Sequence, residues 1–450
     1  MTDSSSQAAP LNGAPDTVRL VADYVVPGEG RGLVIAGGAV DIGADGRITA
    51  VGPEAELAAS EPAPSRTERV GGLIAPGLVN AHAHTPMTLV RSVGDGLPLD
   101  RWLREGVWPL EGRMNPDDAR AGMLAGSVEM LLGGVTTSCE MYLFEGALAD
   151  ATRDSGARLV MTPGVIAALA PDGDVGPRID EIAIYHQSNH DPEARLHVGF
   201  APHSIYDLSP EQCGEIAARA QKADALFHIH LEETQAERDL VIERHGASAT
   251  QLLADHGALD GQVLAAHGVY LDAGDRRLLA EAGAAVAHCP QSNLKLGSGI
   301  ADVPTLLADG VGVGVGTDGP ASNDDLDMWE ELRLAALLAR GSHRDPTVID
   351  AALAFELATR RAAAAIGLDD VGELRVGAWA DVIAVDLDHP RMTPRRDDTL
   401  LTQLVFAGAP ELVRHVWVAG ERVVRDGAMV DLDVDEVRSD AQQRALRLSS

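Results

Sequence analysis

Two patterns of apolar and polar positions follow one another along the chain. Residues 17–72 hold short runs in which apolar and polar residues alternate, as in "TVRLVADYVV" and "GLVIAGGAVDIGADGRITAVG". A period of two predicts half-buried strands, and Asp45-Gly46 supplies a hairpin signal between two of them. From Leu73 the pattern changes. Short, nearly continuous apolar runs at 73–83, 135–141, 158–163, 196–202, 225–231, 262–267, 284–288 and 311–317 alternate with longer stretches of helical spacing. The clearest helix is "NPDDARAGMLAGSVEMLLGG": Asn115 is its N-cap candidate, Pro116 suits the first helical position, acids fill the first turn, and Gly133-Gly134 ends it. Strands apolar on both faces, alternating with helices, predict an α/β fold with a parallel sheet, closed as a (β/α)8 TIM barrel over residues 73–372. After a helical run at 327–366 the period of two returns in "GAWADVIAVDLD" and "VRHVWVAGERVVRDG". The segments 16–72 and 373–450 are therefore expected to pair as one small, composite β-sandwich domain beside the barrel. A chain of 450 residues has room for a barrel of roughly 250 residues and such a second unit.

A set of histidines and one aspartate collects at one end of these apolar strands. His82 and His84 close the first run, in "VNAHAHTPM". Two positions apart on a strand, they face the same side. His203 follows the fourth run, His228 and His230 end the fifth, His267 ends the sixth, and Asp318 ends the eighth. Each lies at the C-terminal end of its strand, the barrel face on which active sites are built. A single histidine there has a plain structural explanation. Five strands delivering His or Asp to one ring do not, because every buried polar group costs free energy unless it is paired. A shared metal ion answers that requirement. On the fifth strand the spacing leaves His228 and His230 as alternatives, and the acids Glu232 and Glu233 in "HLEE" cannot be separated by position alone.

Composition narrows the partners. A net charge of −32 argues against nucleic acid or an anionic membrane surface, since both require clustered cations. No apolar run reaches the length of about 18 residues that a membrane-spanning helix needs. Residues 1–15 are rich in Ser, Ala, Pro and Asn and are expected to form a disordered tail rather than a signal peptide. The three cysteines, Cys139, Cys213 and Cys289, are scattered and form no CxxC. They suit a reducing cytoplasm and argue against a disulfide scaffold or a cysteine zinc site. The H-x-E and P-C-x-x-C signature of cytidine deaminases is absent.

The segments "PGLVNAHAHTPM", "HIHLEET", "AAHGVYL", "HCPQSNLKLGSGIADVP" and "GTDGPASNDDLDM" resemble the amidohydrolase superfamily, and within it the branch that deaminates 5′-methylthioadenosine and S-adenosylhomocysteine. The resemblance spans residues 18 to 430. It implies that His82, His84, His230 and Asp318 hold one divalent metal per subunit, Zn²⁺ or alternatively Fe²⁺. It implies a catalytic trio of Glu233, His267 and Asp318: Asp318 takes a proton from an activated water, His267 orients that water, and Glu233 protonates the ring nitrogen of the substrate. His228 then stands behind the ligands. Two-metal members of the superfamily use a lysine on the fourth strand. Here "RLHVGFAPH" has none, and the chain's only lysines are Lys222 and Lys295, so a single metal is expected.

By the same resemblance, Glu111 binds ribose hydroxyls, Trp102 lines the pocket, His203 touches the substrate ring, and Arg178 clamps a substrate carboxylate. A second carboxylate-binding arginine of the family falls near Pro163, where this chain has no arginine. Weaker recognition of S-adenosylhomocysteine than of uncharged 5′-substituted adenosines is expected from that loss. Lys295 is read as covering its loop. The implied reaction is hydrolytic deamination of adenosine-type nucleosides, with a homo-oligomer compatible with the family. The alternatives are another amino-heterocycle hydrolase acting on guanine, aminodeoxyfutalosine or an s-triazine, or a non-catalytic scaffold of the same fold.

Overall fold

One glycine divides the first apolar run. In the computed structural model, which describes residues 17–28, 32–59 and 63–450, the run at 73–83 is two strands belonging to two different sheets. In chain order the strands are β1 (Val18–Val21), β2 (Tyr24–Val25), β3 (Ile35–Ala36), β4 (Gly38–Ile42), β5 (Ile48–Pro53), β6 (Arg66–Arg69), β7 (Leu73–Pro76) and β8 (Leu78–Ala83). They continue as β9 (Val135–Tyr142), β10 (Arg158–Val165), β11 (Leu196–Val198), β12 (Ala201–Pro202), β13 (Phe227–Leu231), β14 (Val263–His267), β15 (Ala285–His288) and β16 (Gly312–Val315). The last four are β17 (Val382–Val385), β18 (Val413–Val418), β19 (Glu421–Arg425) and β20 (Ala428–Met429). The expected tail at residues 1–15 lies outside the described residues.

Strands β8 to β11 form one parallel sheet in the order β11-β10-β9-β8, with β12 also pairing to β10, and β13 to β16 form a second parallel sheet in sequence order. Parallel bridges join the two sheets at both edges: Phe200 to Phe227 and Ser204 to His230 on one side, Ala83 to Asp318 on the other. On that second side the Asp318 amide donates to the His82 carbonyl at 3.0 Å. Gly316 permits the approach, because a Cβ there would press on the His82 backbone. Helices cover these strands. The helix Pro116–Leu132 starts as its sequence predicts, with the Asn115 side chain accepting from the Asp117 and Asp118 amides and Asp118 completing the capping box.

Two further sheets lie apart from these. One has the order β5-β4-β1-β6 and the other β20-β19-β18-β17-β7-β2-β3, so residues from both termini share a seven-stranded sheet. Val18, Leu20, Ile42 and Ile48 of the first sheet and Ile74, Val382 and Trp417 of the second belong to one buried apolar cluster. Two expectations need correction. The strand read as 73–83 breaks at Gly77, where a side chain would overlap that of Thr136, so β7 pairs with β2 and β17 while β8 enters the parallel sheet. Residues 434–448, assigned with the terminal strands, form a helix instead. Asp433 caps it, and Arg444 and Arg447 bring it to the buried carboxylate of Asp118 at the start of Pro116–Leu132.

A buried ion pair ties the seven-stranded sheet to the parallel one. Arg158 of β10 donates twice to Asp381, at 3.0 Å each, and both side chains are 1% exposed. Asp381 also accepts the Ala419 amide at 2.7 Å, and its backbone carbonyl takes the Gly77 amide at 3.0 Å. Asp381→Ala would leave a guanidinium buried and unpaired, so it is expected to destabilise the fold by about 3–5 kcal/mol. The double variant Arg158→Met/Asp381→Ala should recover much of the loss. Urea midpoints at unchanged m-value measure both, and a double variant no more stable than the single one would contradict this account of the pair.

Candidate metal centre and substrate cavity

The strand ends deliver their polar residues to one place. His82 and His84 come from β8, His230 from β13, His267 from the last position of β14, and Asp318 from the turn after β16. Two groups, His82-His84-His230 and His82-His267-Asp318, each bring their ligating atoms within 4.8 Å of one another, close enough for one ion. His84 and His230 approach each other Nε2 to Nε2 at 3.2 Å. Asp318 Oδ1 lies 3.2 Å from His84 Nε2 and 3.4 Å from His82 Nε2. His82 is fully buried, and its Nε2 has no aligned hydrogen-bond partner. Lone pairs facing one another in a dry site are unfavourable unless a cation sits between them, and the donor set of imidazoles and one carboxylate suits zinc.

Surrounding groups fix these side chains. His84 Nδ1 is 2.6 Å from the Met141 carbonyl and His230 Nδ1 is 2.9 Å from the His203 carbonyl. Asp318 Oδ2 accepts from the Ser292 hydroxyl at 2.6 Å and the Ser322 hydroxyl at 3.0 Å, so Oδ1 alone faces the histidines. Asp318 and His267 both have left-handed backbones, φ 62° and 75°. Such non-glycine conformations cost energy and mark positions that the surrounding structure over-determines. Burial pushes the His82 imidazole down to about 4, although Asp318 opposes the shift. Burial works in the same direction on His84, but its hydrogen bond and charge interaction with Asp318 outweigh it and leave it raised. Asp318 itself is held well below the usual carboxylate range: burial would raise it, and the two histidines prevail.

The structure separates the two acids that the sequence left equivalent. Glu232 adopts φ 51° and turns away from the site: its carboxylate pairs with Arg238 at 2.9 Å and accepts the Ala249 amide at 3.2 Å. Glu233 therefore points into the cavity. Its Oε1 accepts from the Ser298 hydroxyl at 3.1 Å, its Oε2 lies 3.8 Å from His267 Nε2, and burial raises its pKa. His267 is anchored on its other nitrogen by Asn293 Oδ1 at 2.9 Å. His228 does not reach the cavity; it sits behind His82.

A cavity of about 460 Å³ opens over this cluster. Glu111, Trp102 and His203 line it, as do Glu233, His267 and Asp318. Trp102 is fixed by an indole N–H to Val93 carbonyl bond of 2.8 Å, in a π-helical turn spanning Trp102–Val107. Burial lowers His203 to about 4, so its ring is neutral at pH 7. Most of the wall is apolar, including Leu103, Trp108, Phe144, Ile166 and Leu169, and among the described residues neither Arg nor Lys is part of it. Arg178 is accordingly a correction. It is not in the wall; its guanidinium pairs with Glu145 at the start of the preceding α-helix, Glu145–Ser155, and with Glu181 at 3.6 Å, and its Nε donates to the Gly164 carbonyl at 3.3 Å. Lys295, 2.6 Å from Asp324, is likewise outside it. The sequence reading missed Tyr142, whose hydroxyl donates to Glu111 Oε1 at 2.6 Å. A tyrosine ending an apolar strand carries no signal of its own.

The comparisons with known proteins fit this geometry. The amidohydrolase family model matches residues 73–423. A 5-methylthioadenosine/S-adenosylhomocysteine deaminase of Halobacterium salinarum is 38% identical over 426 residues, covering 93% of this chain and 98% of that protein. A 5′-deoxyadenosine deaminase of Methanopyrus kandleri is 35% identical over 419 residues, 93% of this chain and 96% of that protein. The solved structure of an adenosine deaminase from Xanthomonas campestris with bound zinc superposes with a TM-score of 0.90 at 34% identity, over 96% of this chain and 98% of that one. A match of this extent, on a chain whose strand ends converge in this way, has one meaning: the chain belongs to the amidohydrolase family.

Proposed function

We infer that this chain is a metal-dependent hydrolytic deaminase of adenosine-type nucleosides, converting them with water to the inosine analogue and ammonia. The observation that carries the reading is the cavity in which Glu111 and the Glu233-His267-Asp318 group share one enclosed space. His82, His84, His230 and Asp318 are the proposed ligands of one zinc ion, with iron(II) as the alternative. When bound, such an ion supplies Lewis acidity and lowers the pKa of a water to about 7. Asp318 Oδ1 accepts the proton that the attacking water loses. His267, held by Asn293, orients the water by a hydrogen bond. Glu233, whose burial favours the protonated form, gives its proton to the ring nitrogen beside the amino-bearing carbon; the proton taken by Asp318 then passes to the amino group, which leaves as ammonia, and the hydroxyl proton of the intermediate returns to the Glu233 carboxylate. Glu111 uses the carboxylate oxygen not held by Tyr142 to accept from ribose hydroxyls, with Trp102 and His203 bounding the nucleoside.

A wall to which no Arg or Lys among the described residues contributes supports uncharged 5′-substituents over the zwitterionic tail of S-adenosylhomocysteine, which would lose hydration there without gaining a cationic partner. Trp108 and Leu169, 46% and 64% exposed, offer apolar surface at the mouth for a thioether or alkyl group. The two parallel sheets, bridged at both edges, support one closed (β/α)8 barrel. The two outer sheets with their shared core support a composite β-sandwich built from residues 16–72 and the strands after 373. The free, buried cysteines support a cytoplasmic place.

Ammonia release from zinc-loaded protein tests the reading. Adenosine, 5′-deoxyadenosine and 5′-methylthioadenosine should turn over, S-adenosylhomocysteine more slowly, and adenine, guanine and an aminotriazine should not. Glu111→Ala should lower kcat/KM on the nucleosides by about 10–100-fold, the scale of a lost charge-assisted hydrogen bond. Turnover confined to free bases would remove the nucleoside reading.

A further inference from the structure

We propose that Thr162 and His228 are positioning residues that fix the ring tautomer of His82, so that its Nε2 lone pair is the one presented to the metal. The proposal rests on the reading of His82 as a ligand and adds the device that makes it one.

The neighbouring ligands need no such device. His84 Nδ1 and His230 Nδ1 each face a backbone carbonyl, at 2.6 and 2.9 Å. A carbonyl oxygen only accepts, so in each neutral ring Nδ1 carries the proton and Nε2 is bare. His82 has no carbonyl on its Nδ1. It faces His228 Nε2 instead, at 2.9 Å. Two imidazole nitrogens can share a proton in either sense, so this bond alone leaves the tautomer of His82 undecided.

The decision comes from the far side of His228. Its Nδ1 is 2.9 Å from the Thr162 hydroxyl, with the Cys139 sulfur at 3.7 Å. Thr162 Oγ1 in turn lies 2.9 Å from the Glu140 carbonyl. The hydroxyl has one proton, and the carbonyl can only receive it. Toward His228, Thr162 therefore accepts, and His228 Nδ1 must be the donor. His228 Nε2 is then bare and accepts from His82 Nδ1–H. The remaining nitrogen, His82 Nε2, is left unprotonated, and it is the buried atom without an aligned hydrogen-bond partner. His82, His228 and Thr162 are all 0% exposed, so solvent cannot substitute for a missing partner. The peptide carbonyl of Glu140 is thus relayed through one hydroxyl and one imidazole to a ligand it does not touch. Outer partners of this kind hold ligand rings in the metal-binding orientation.

Thr162→Val removes the hydroxyl at constant volume. His228 Nδ1 would then face a methyl group and the weakly accepting Cys139 sulfur. The expected response is a switch of His228 to its Nε2–H form, which forces His82 to carry its proton on Nε2, where the ion should bind. Zinc affinity of the metal-free protein, measured by competition with a chromophoric chelator, should fall by about 10–100-fold in Thr162→Val. Thr162→Ser keeps the hydroxyl and should bind zinc as the unaltered chain does. Nitrogen-15 shifts of the histidine rings in the unaltered protein give a reading independent of any variant: His82 and His228 should both be protonated on Nδ1. The opposite tautomer on either ring would overturn the proposal. His82→Ala, titrated in the same series, separates the two levels. If it loses zinc while Thr162→Val binds as tightly as the unaltered chain, the relay is wrong and the ligand assignment stands. If His82→Ala binds zinc normally, the ligand assignment fails and the relay with it.

Discussion

Asp318→Asn is expected to lower kcat by about 10²–10⁴-fold even with zinc in excess, the range removed with a proton-accepting group. The substitution is nearly isosteric. An amide oxygen can still accept from Ser292 and Ser322, so the turn after β16 keeps its support. What changes is the atom facing the histidines. Oδ1, now 3.2 Å from His84 Nε2 and 3.4 Å from His82 Nε2, becomes an NH2 group that neither ligates nor takes a proton. Two losses should therefore appear together: weaker zinc binding in a chelator competition, and low turnover that added zinc does not restore. Full recovery of kcat at saturating zinc would reduce Asp318 to a ligand and remove its part in proton transfer.

Glu233→Gln is the second large effect, and it should dissociate from the first. Zinc content should match that of the unaltered chain, because Glu233 is not among the residues whose ligating atoms cluster closely enough to hold an ion. KM should change little, since the amide retains the size and the Ser298 contact. The amide has no proton to transfer, so kcat should fall by about 10²–10⁴-fold. Single-turnover measurement of ammonia release reads the chemical step directly. A variant that loses zinc instead, or that raises KM at constant kcat, would move Glu233 from acid-base work to binding.

Much of this site could be read before any coordinates. A continuous apolar strand tolerates a polar residue only where something compensates it, so His82, His84, His203, His228, His230, His267 and Asp318 stood out at the ends of their strands, and the preference for His230 over His228 came from the family resemblance. The Asn115 cap was legible for a local reason, its side chain satisfying amides two and three residues away. Features set by long-range contacts were not. The break at Gly77 depends on Thr136, which is distant in sequence. The partner of Arg178 is Glu145, a neutralising neighbour that the family resemblance behind its assignment to a substrate carboxylate could not show. Glu232 and Glu233 differ only in a backbone torsion. Residues 434–448 form a helix capped by Asp433, and their docking through Arg444 and Arg447 on Asp118 depends on a partner distant in sequence. Thr162 and Tyr142 each lie on a buried strand, and their meaning lies in the partners that folding gives them.

The strand that supplies two imidazoles follows directly on a strand of another sheet. Gly77 alone separates β7, paired to β2 and β17, from β8, which carries His82 and His84. The outer sheet thus works as a mooring for the ion site, and the two cannot be uncoupled as cassettes. Grafting these parallel sheets without their outer strands would cut the line on which two of the four proposed ligands hang. In the intact chain, loosening of the outer sheet would be felt first as a drift of His82 and His84, so release of zinc should report its melting before the helices give way.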